Sequence, residues 1–155
     1  MKTTKRYGKR ADTALTMWVK LARAHDTFKR LTADNIRTFG LTTAQFGALE
    51  TLGHIGPMLI GELTRKQLVS GGNMTVVVNN LVKEGCVERI VDTKDRRAIH
   101  VQLTAKGKRL FEKIFPHHAR HVAEIASVLS EQEQEDLGRL LKKLGIGLVT
   151  RGGGQ

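Results

Sequence analysis

Asn73, Val76, Asn79, Asn80 and Lys83 recur at helical spacing along one side of the stretch 70–85, bringing amides and one cation but no carboxylate. Amide side chains hydrogen-bond base edges in the major groove and a cation neutralises phosphate, so this face has the chemistry of a duplex reader. The opposite side carries Met74, Val77, Val78, Leu81 and Val82 at i, i+3, i+4, i+7 and i+8, which predicts a helix that Ser70 N-caps and Gly85 ends. The run Thr75-Val76-Val77-Val78 favours a strand by propensity alone. The apolar spacing continues through Leu81 and Val82 without a turn signal, and it decides for the helix.

Two short β-rich runs follow, Cys86 to Val91 and Ala98 to Leu103, flanking the charged tip Asp92-Thr93-Lys94-Asp95-Arg96-Arg97. That is the pattern of a hairpin. A charged tip is either a solvated loop or a wing whose arginine enters a narrow minor groove, where negative potential concentrates. The helix just before it favours the second reading.

Other chemistry has thinner support. His117, His118 and His121 give an i, i+4 pair and a neighbour, a spacing that can hold Zn²⁺ or Ni²⁺ on one helix face. No HExxH accompanies them, so no metal is expected, and His117 and His121 stand only as weak ligand candidates against a polar helix surface. Cys86 lies near Arg89, where a cation could lower a thiol pKa; packing in an apolar strand is the alternative. No activated nucleophile, phosphate loop or carboxylate pair is evident, so neither an enzyme nor a bound cofactor is expected.

Composition agrees with a polyanionic partner. Against 15 Asp and Glu stand 26 Lys and Arg, a net charge of +11, while 40% of residues are apolar. With 155 residues the chain is long enough for one domain with a core. No apolar run approaches the ~18 residues of a membrane span, and no apolar segment of a secretory signal follows the basic start. A single cysteine rules out an intrachain disulfide and fits the reducing cytoplasm.

The elements that must position these residues follow from the pattern. Residues 1–12 read as a basic arm. A long helix from Thr13 to Thr38 bears two apolar stripes, Leu15, Trp18, Val19 and Ala22, then Leu21, Ala24, Phe28 and Leu31, so it packs on more than one side. Thr42 and Gln45 make a capping box, and Leu41 and Phe46 a hydrophobic staple, at the start of a helix that Gly53 to Pro57 breaks. A short helix from Ile60 to Leu68 leads by a tight turn into the reading helix, the helix-turn-helix arrangement. Beyond the hairpin Thr104 caps another helix, bent at Pro116. Ser130 and Glu133 cap a last one with Leu137, Leu140, Leu141 and Leu144, and residues 150–155 are a glycine-rich tail.

In the runs LVKEGCVER, DTKDRRAIHVQLTAKG and LSEQEQEDL the chain resembles the MarR family of transcriptional regulators, from about Thr13 to Leu148. The resemblance implies a mainly α fold with a small β-hairpin wing. A winged helix-turn-helix lobe would occupy 41–104, and a dimerisation layer would be built from 13–40 and 105–149. It implies a homodimer on a pseudo-palindromic operator, usually a repressor, released by a small molecule or an oxidant. By position Arg96 is the minor-groove residue; Asp95 and Arg97 brace it, with Asp92 and Arg89 nearby. Asn73, Thr75, Val76 and Asn80 fall where members touch the major groove, and Ser70, Gly72 and Lys94 complete the DNA-binding set. Relatives often bind phenolic acids beside the lobe, which makes His25, Phe28, Phe46 and Phe111 wall candidates for a small aromatic effector. Two positions depart from the pattern: Gly71-Gly72 opens the helix in place of polar residues, and Val76, in place of a basic residue, suits a thymine methyl. The alternative function is a basic architectural DNA-binding protein with little sequence preference.

Overall fold

The computed structural model describes residues 7–67, 74–91 and 99–152. Its contacts fall into two units, Met1–Ala119 and Arg120–Gln155. Helices dominate: α1 (Lys9–Thr38), α2 (Thr43–Ile55), α3 (Ile60–Lys66), α4 (Met74–Lys83), α5 (Ala105–Ala126) and α6 (Glu131–Gly152). Three short strands, β1 (Met58–Leu59), β2 (Val87–Val91) and β3 (Ile99–Leu103), form an antiparallel sheet in the order β1-β3-β2.

Local chemistry sets the boundaries. At the start of α2 the Gln45 N–H donates to Thr42 Oγ1 at 3.2 Å and the Thr42 N–H donates to Gln45 Oε1 at 2.9 Å, so the capping box is closed in both directions. The staple residues Leu41 and Phe46 are both buried. At the end of α4 the Cys86 N–H returns to the Leu81 carbonyl and the Gly85 N–H to that of Val82, a Schellman closure made possible by Gly85 at φ 68°. Thr104 Oγ1 accepts from the Gly107 N–H at 3.1 Å and donates to the Gly85 carbonyl at 2.6 Å, tying the start of α5 to the end of α4.

The core of the first unit sits beneath α4. Leu49, Leu63, Val78, Leu81, Val87 and Val101 are its largest fully buried side chains, drawn from α2, α3, α4, β2 and β3. The hairpin register is Val87 opposite Leu103 through Val91 opposite Ile99. The second unit holds the end of α5 and all of α6, whose first turn is capped by Ser130 and Glu133 as the sequence predicts.

Several boundaries differ from expectation: α3 ends at Lys66, with Gln67 already extended, and β2 starts at Val87 and not at Cys86. β1 pairs Met58 with Val101 and adds a third strand to the predicted hairpin. The arm is shorter, because Lys9 to Asp12 already belong to α1: Asp12 stands in its first turn and accepts the Tyr7 N–H. α2 continues past Gly53 to Ile55 and stops at Gly56, whose φ of 96° suits glycine. α6 takes in Thr150, whose hydroxyl bonds back to the Ile146 carbonyl, so the tail begins later than residue 150. Through Pro116 α5 remains helical.

Candidate nucleic-acid interface

α4 is anchored on one side and open on the other. Met74, Val77, Val78 and Leu81 are buried, while Thr75, Val76, Asn80 and Lys83 are exposed, Val76 at 51%. The strand alternative for Thr75 to Val78 is thereby settled for a helix: packing of the stripe overrides the β propensity of the valines. The exposed face bears no carboxylate from Thr75 to Lys83. Lys83 adds a cation in the last turn.

Three side-chain links hold this helix in place. The Gln45 amide, itself buried, donates to Glu84 Oε1 at 3.2 Å, joining the start of α2 to the end of α4. Lys106 Nζ donates to the Glu84 carbonyl at 2.6 Å. Arg89 of β2 donates from Nη2 to Oδ1 of Asn79. Asn79 belongs to the outer face by spacing, yet its carbonyl serves this link and the residue is half-buried. Sequence reasoning gave Gln45 only its capping role and did not foresee that Asn79 would receive Arg89, because both links cross between elements.

Ser70, Gly72 and Asn73 at the head of the reading helix, and Asp92, Lys94, Asp95, Arg96 and Arg97 of the wing tip, lie outside the described residues. Of the bracing set Arg89 is described. Thr75, Val76 and Asn80 are brought together on one exposed face.

The candidate effector residues lie in different settings. Phe46 is 3% exposed and packs against Phe39 and His118, whereas Phe28 and His25 are exposed on α1, His25 being 3.5 Å from Asp26. Phe111 packs edge-on against His54 and also meets Phe115. It walls a groove of about 360 Å³ with Leu52, Gly53, Pro57, Leu103 and Lys108. A Cβ on Gly53 would fall 2.6 Å from the Phe111 ring, so the ring rests on bare backbone there.

His118 is a packing residue: it is buried, its Nδ1 lies 2.9 Å from Asn35 Oδ1, and its ring meets Phe46 at 4.5 Å. Among the described residues no group of three or more His, Cys, Asp or Glu side chains is placed to hold a metal ion. Cys86 is 2% exposed. Burial pushes its thiol above the ordinary range, Lys106 pulls it down and Glu84 pushes it further up. The cation that acts on the thiol is therefore Lys106, and burial outweighs it.

A described helix of this polarity, seated behind a hairpin, is the geometry of a DNA-reading lobe, and comparison with known proteins identifies it. The sequence profile of the MarR family matches residues 39–98. The Bacillus subtilis regulator MhqR, an HTH-type transcriptional regulator, is 34% identical over 133 residues, spanning 86% of this chain and 92% of its own. The chain belongs to the MarR family. YkoM of the same organism, an uncharacterised HTH-type transcriptional regulator, is likewise 34% identical, over 86% of both chains. The crystal structure of wild-type MarR from E. coli in its apo form superposes with a TM-score of 0.67 at 26% identity, covering 80% of this chain and 92% of that one. This MarR-family chain is thus a DNA-binding transcriptional regulator with a winged helix-turn-helix, and not an enzyme. No helix among its described residues is long and apolar enough to cross a membrane.

Proposed function

We propose that the protein is a cytoplasmic repressor that binds a pseudo-palindromic operator as a homodimer and leaves it when a small aromatic effector binds. The observation that carries this reading is the exposed, carboxylate-free face of α4 mounted on a stripe whose Met74, Val77, Val78 and Leu81 are buried. Thr75, Val76 and Asn80, with Ser70, Gly72 and Asn73 ahead of them, read the major groove. Arg96 enters the minor groove, Lys94 meets phosphate, and Asp92, Asp95 and Arg97 shape the wing. In this reading 41–104 is the DNA-binding lobe of a single MarR-type domain, and 13–40 with 105–149 form the dimer layer. Two lobes spaced one helical turn apart would match successive major grooves on one side of the duplex. An effector that binds better to a dimer of different spacing would then release the DNA.

The test is a gel-shift titration of the full chain on the DNA upstream of its own gene, with random competitor, at two salt concentrations. A regulator prefers its operator by at least ~10³-fold over random sequence. Arg96→Ala is expected to weaken the discrete complex by about 1–3 kcal/mol. A smear that vanishes at the higher salt, unchanged by Arg96→Ala and found on every fragment tested, would overturn the reading in favour of an architectural protein.

A further inference from the structure

The net charge of this chain lies apart from its reading helix. Residues 41–104 hold seven Lys and Arg against six Asp and Glu, and 105–155 hold nine against six, whereas residues 1–40 hold ten against three Asp. The lobe is thus almost neutral, and +7 of the net +11 precedes it. Duplex binding draws a large share of its affinity from cations that displace counterions from phosphates, and a lobe with one net charge supplies little of that.

Five of those ten cations fall in the first ten residues, Lys2, Lys5, Arg6, Lys9 and Arg10, with no acid among them. Lys2, Lys5 and Arg6 lie outside the described residues, while Lys9 and Arg10 are exposed at the head of α1. From Lys9 a polar stripe runs down the helix through Thr13, Thr16, Lys20 and Arg23, at i, i+4, i+7, i+11 and i+14, on the side that the two apolar stripes leave free. Lys20 and Arg23 are exposed. The acids of α1 are engaged elsewhere: Asp12 accepts the Tyr7 N–H, Asp26 lies beside His25, and Asp34 pairs with Arg30 and Arg37. A merely solvated helix face mixes signs at i, i+3 and i+4, as Arg30, Asp34 and Arg37 do further along the same stripe. Among the described residues no carboxylate forms an ion pair with Lys9, Arg10, Lys20 or Arg23.

We propose that residues 2–10, with Lys20 and Arg23, form a second DNA contact that grips the phosphates flanking the operator, outside the base pairs that α4 reads. This rests on the operator reading above and adds a sequence-independent contact to it. In a homodimer the stretch is present twice, once for each flank.

Full-length wild type and two variants test it. The first variant replaces Lys2, Lys5, Arg6, Lys9 and Arg10 by Gln; the second combines Lys20→Gln with Arg23→Gln, which keeps helix propensity and so leaves the fold intact. Each protein is titrated at several salt concentrations on a duplex trimmed to the operator, and on the same operator extended by about one helical turn at either end. Each phosphate contact contributes ~0.9 to the slope of log affinity against log salt, so on the extended duplex both variants should show a slope shallower by at least ~2 and bind about tenfold weaker at low salt. On the trimmed duplex the three proteins should differ by less than about twofold, since sequence-independent phosphate contact needs the flanks. Equal slopes for all three on the extended duplex would overturn the proposal and leave the charge as a solubilising face. A loss of equal size on both duplexes would overturn it too, by placing the cations inside the operator. Retention of wild type but not the variants on phosphatidylserine vesicles, with equal slopes on DNA, would assign the stretch to a membrane surface instead. If no fragment gives a specific complex, the operator reading fails by itself. The slopes on a random duplex of the extended length then decide the phosphate contact separately: shallower for the variants keeps it, equal ends it.

Discussion

Arg89 on β2 donates its guanidinium N–H to the side-chain carbonyl of Asn79 on α4, so the wing strand and the reading helix are joined side chain to side chain. The link lies at the exposed rim of the lobe, where a hydrogen bond adds only about 0.5–1.5 kcal/mol to stability. Its consequence is orientation. Arg89→Ala and Asn79→Ala are each expected to lower operator affinity by about three- to tenfold, since 1.4 kcal/mol is tenfold in a binding constant. Residues acting through one link do not add their effects, so the double variant should lose no more than the worse single one. Fully additive losses in a gel-shift cycle would mean that Arg89 meets the DNA independently of Asn79.

Gly107 predicts a much larger effect on folding. A Cβ there would overlap the carbonyl oxygen of Cys86 and lie 2.8 Å from its carbon, and both belong to backbone that cannot swing aside. The same carbonyl accepts the Thr104 N–H at 3.0 Å, so displacing it also loosens the cap of α5. Gly107→Ala should lower unfolding free energy by at least the ~1–3 kcal/mol of an overpacked core. Gly61→Ala in α3 is the contrast: the nearest atom to its Cβ is Arg65 Nη1 at 3.9 Å, and a gain of about 0.4–1 kcal/mol is expected. Urea titration of both variants decides the matter, and equal midpoints would refute the account.

What was legible beforehand was local. The stripe of α4, the Gly85 stop and the capping boxes at Thr42 and Ser130 each depend on residues within a few positions, and all are realised. β1 was not legible, because Met58 and Leu59 become a strand only by pairing with Val101 and His100 far along the chain. The partner of His118, Asn35, is 83 residues away, so the neighbour of the His117 and His121 pair gave no sign of its packing role. The start of α1 at Lys9 was hidden because exposed charged residues carry no apolar period. At the site, the polar face was visible as spacing, whereas its links through Arg89, Gln45 and Glu84 needed three elements brought together.

Cys86 should behave as a buried thiol and not as a poised nucleophile. Its pKa stands above the ordinary value, chiefly through burial, so folding favours the protonated form. The sign follows from proton binding: between the unfolded and folded pKa values the native state holds more protons, so stability falls as pH rises through that alkaline window. Alkylation of the native protein at neutral pH should be far slower than in denaturant. Cys86→Ala should remove the thiol's share of the alkaline decline. Rapid modification of the native thiol at neutral pH would instead mark it as an oxidant sensor.

Glu50 offers the corresponding test in acid. It sits half-buried on α2, and burial pushes its carboxyl above the ordinary range while His54, one turn on, pulls the other way. A carboxyl raised by folding binds its proton more tightly in the native state. Its contribution is therefore fully present below the ordinary carboxylate pKa and is lost as pH rises through the raised one. Glu50→Gln keeps the shape and removes the charge, so the variant should be more stable than wild type at neutral pH, with the gap closing on acidification below the ordinary carboxylate value. Urea midpoints at both pH values check this. A variant less stable than wild type at neutral pH would show that the ionised carboxylate gains more from His54 than it loses by burial.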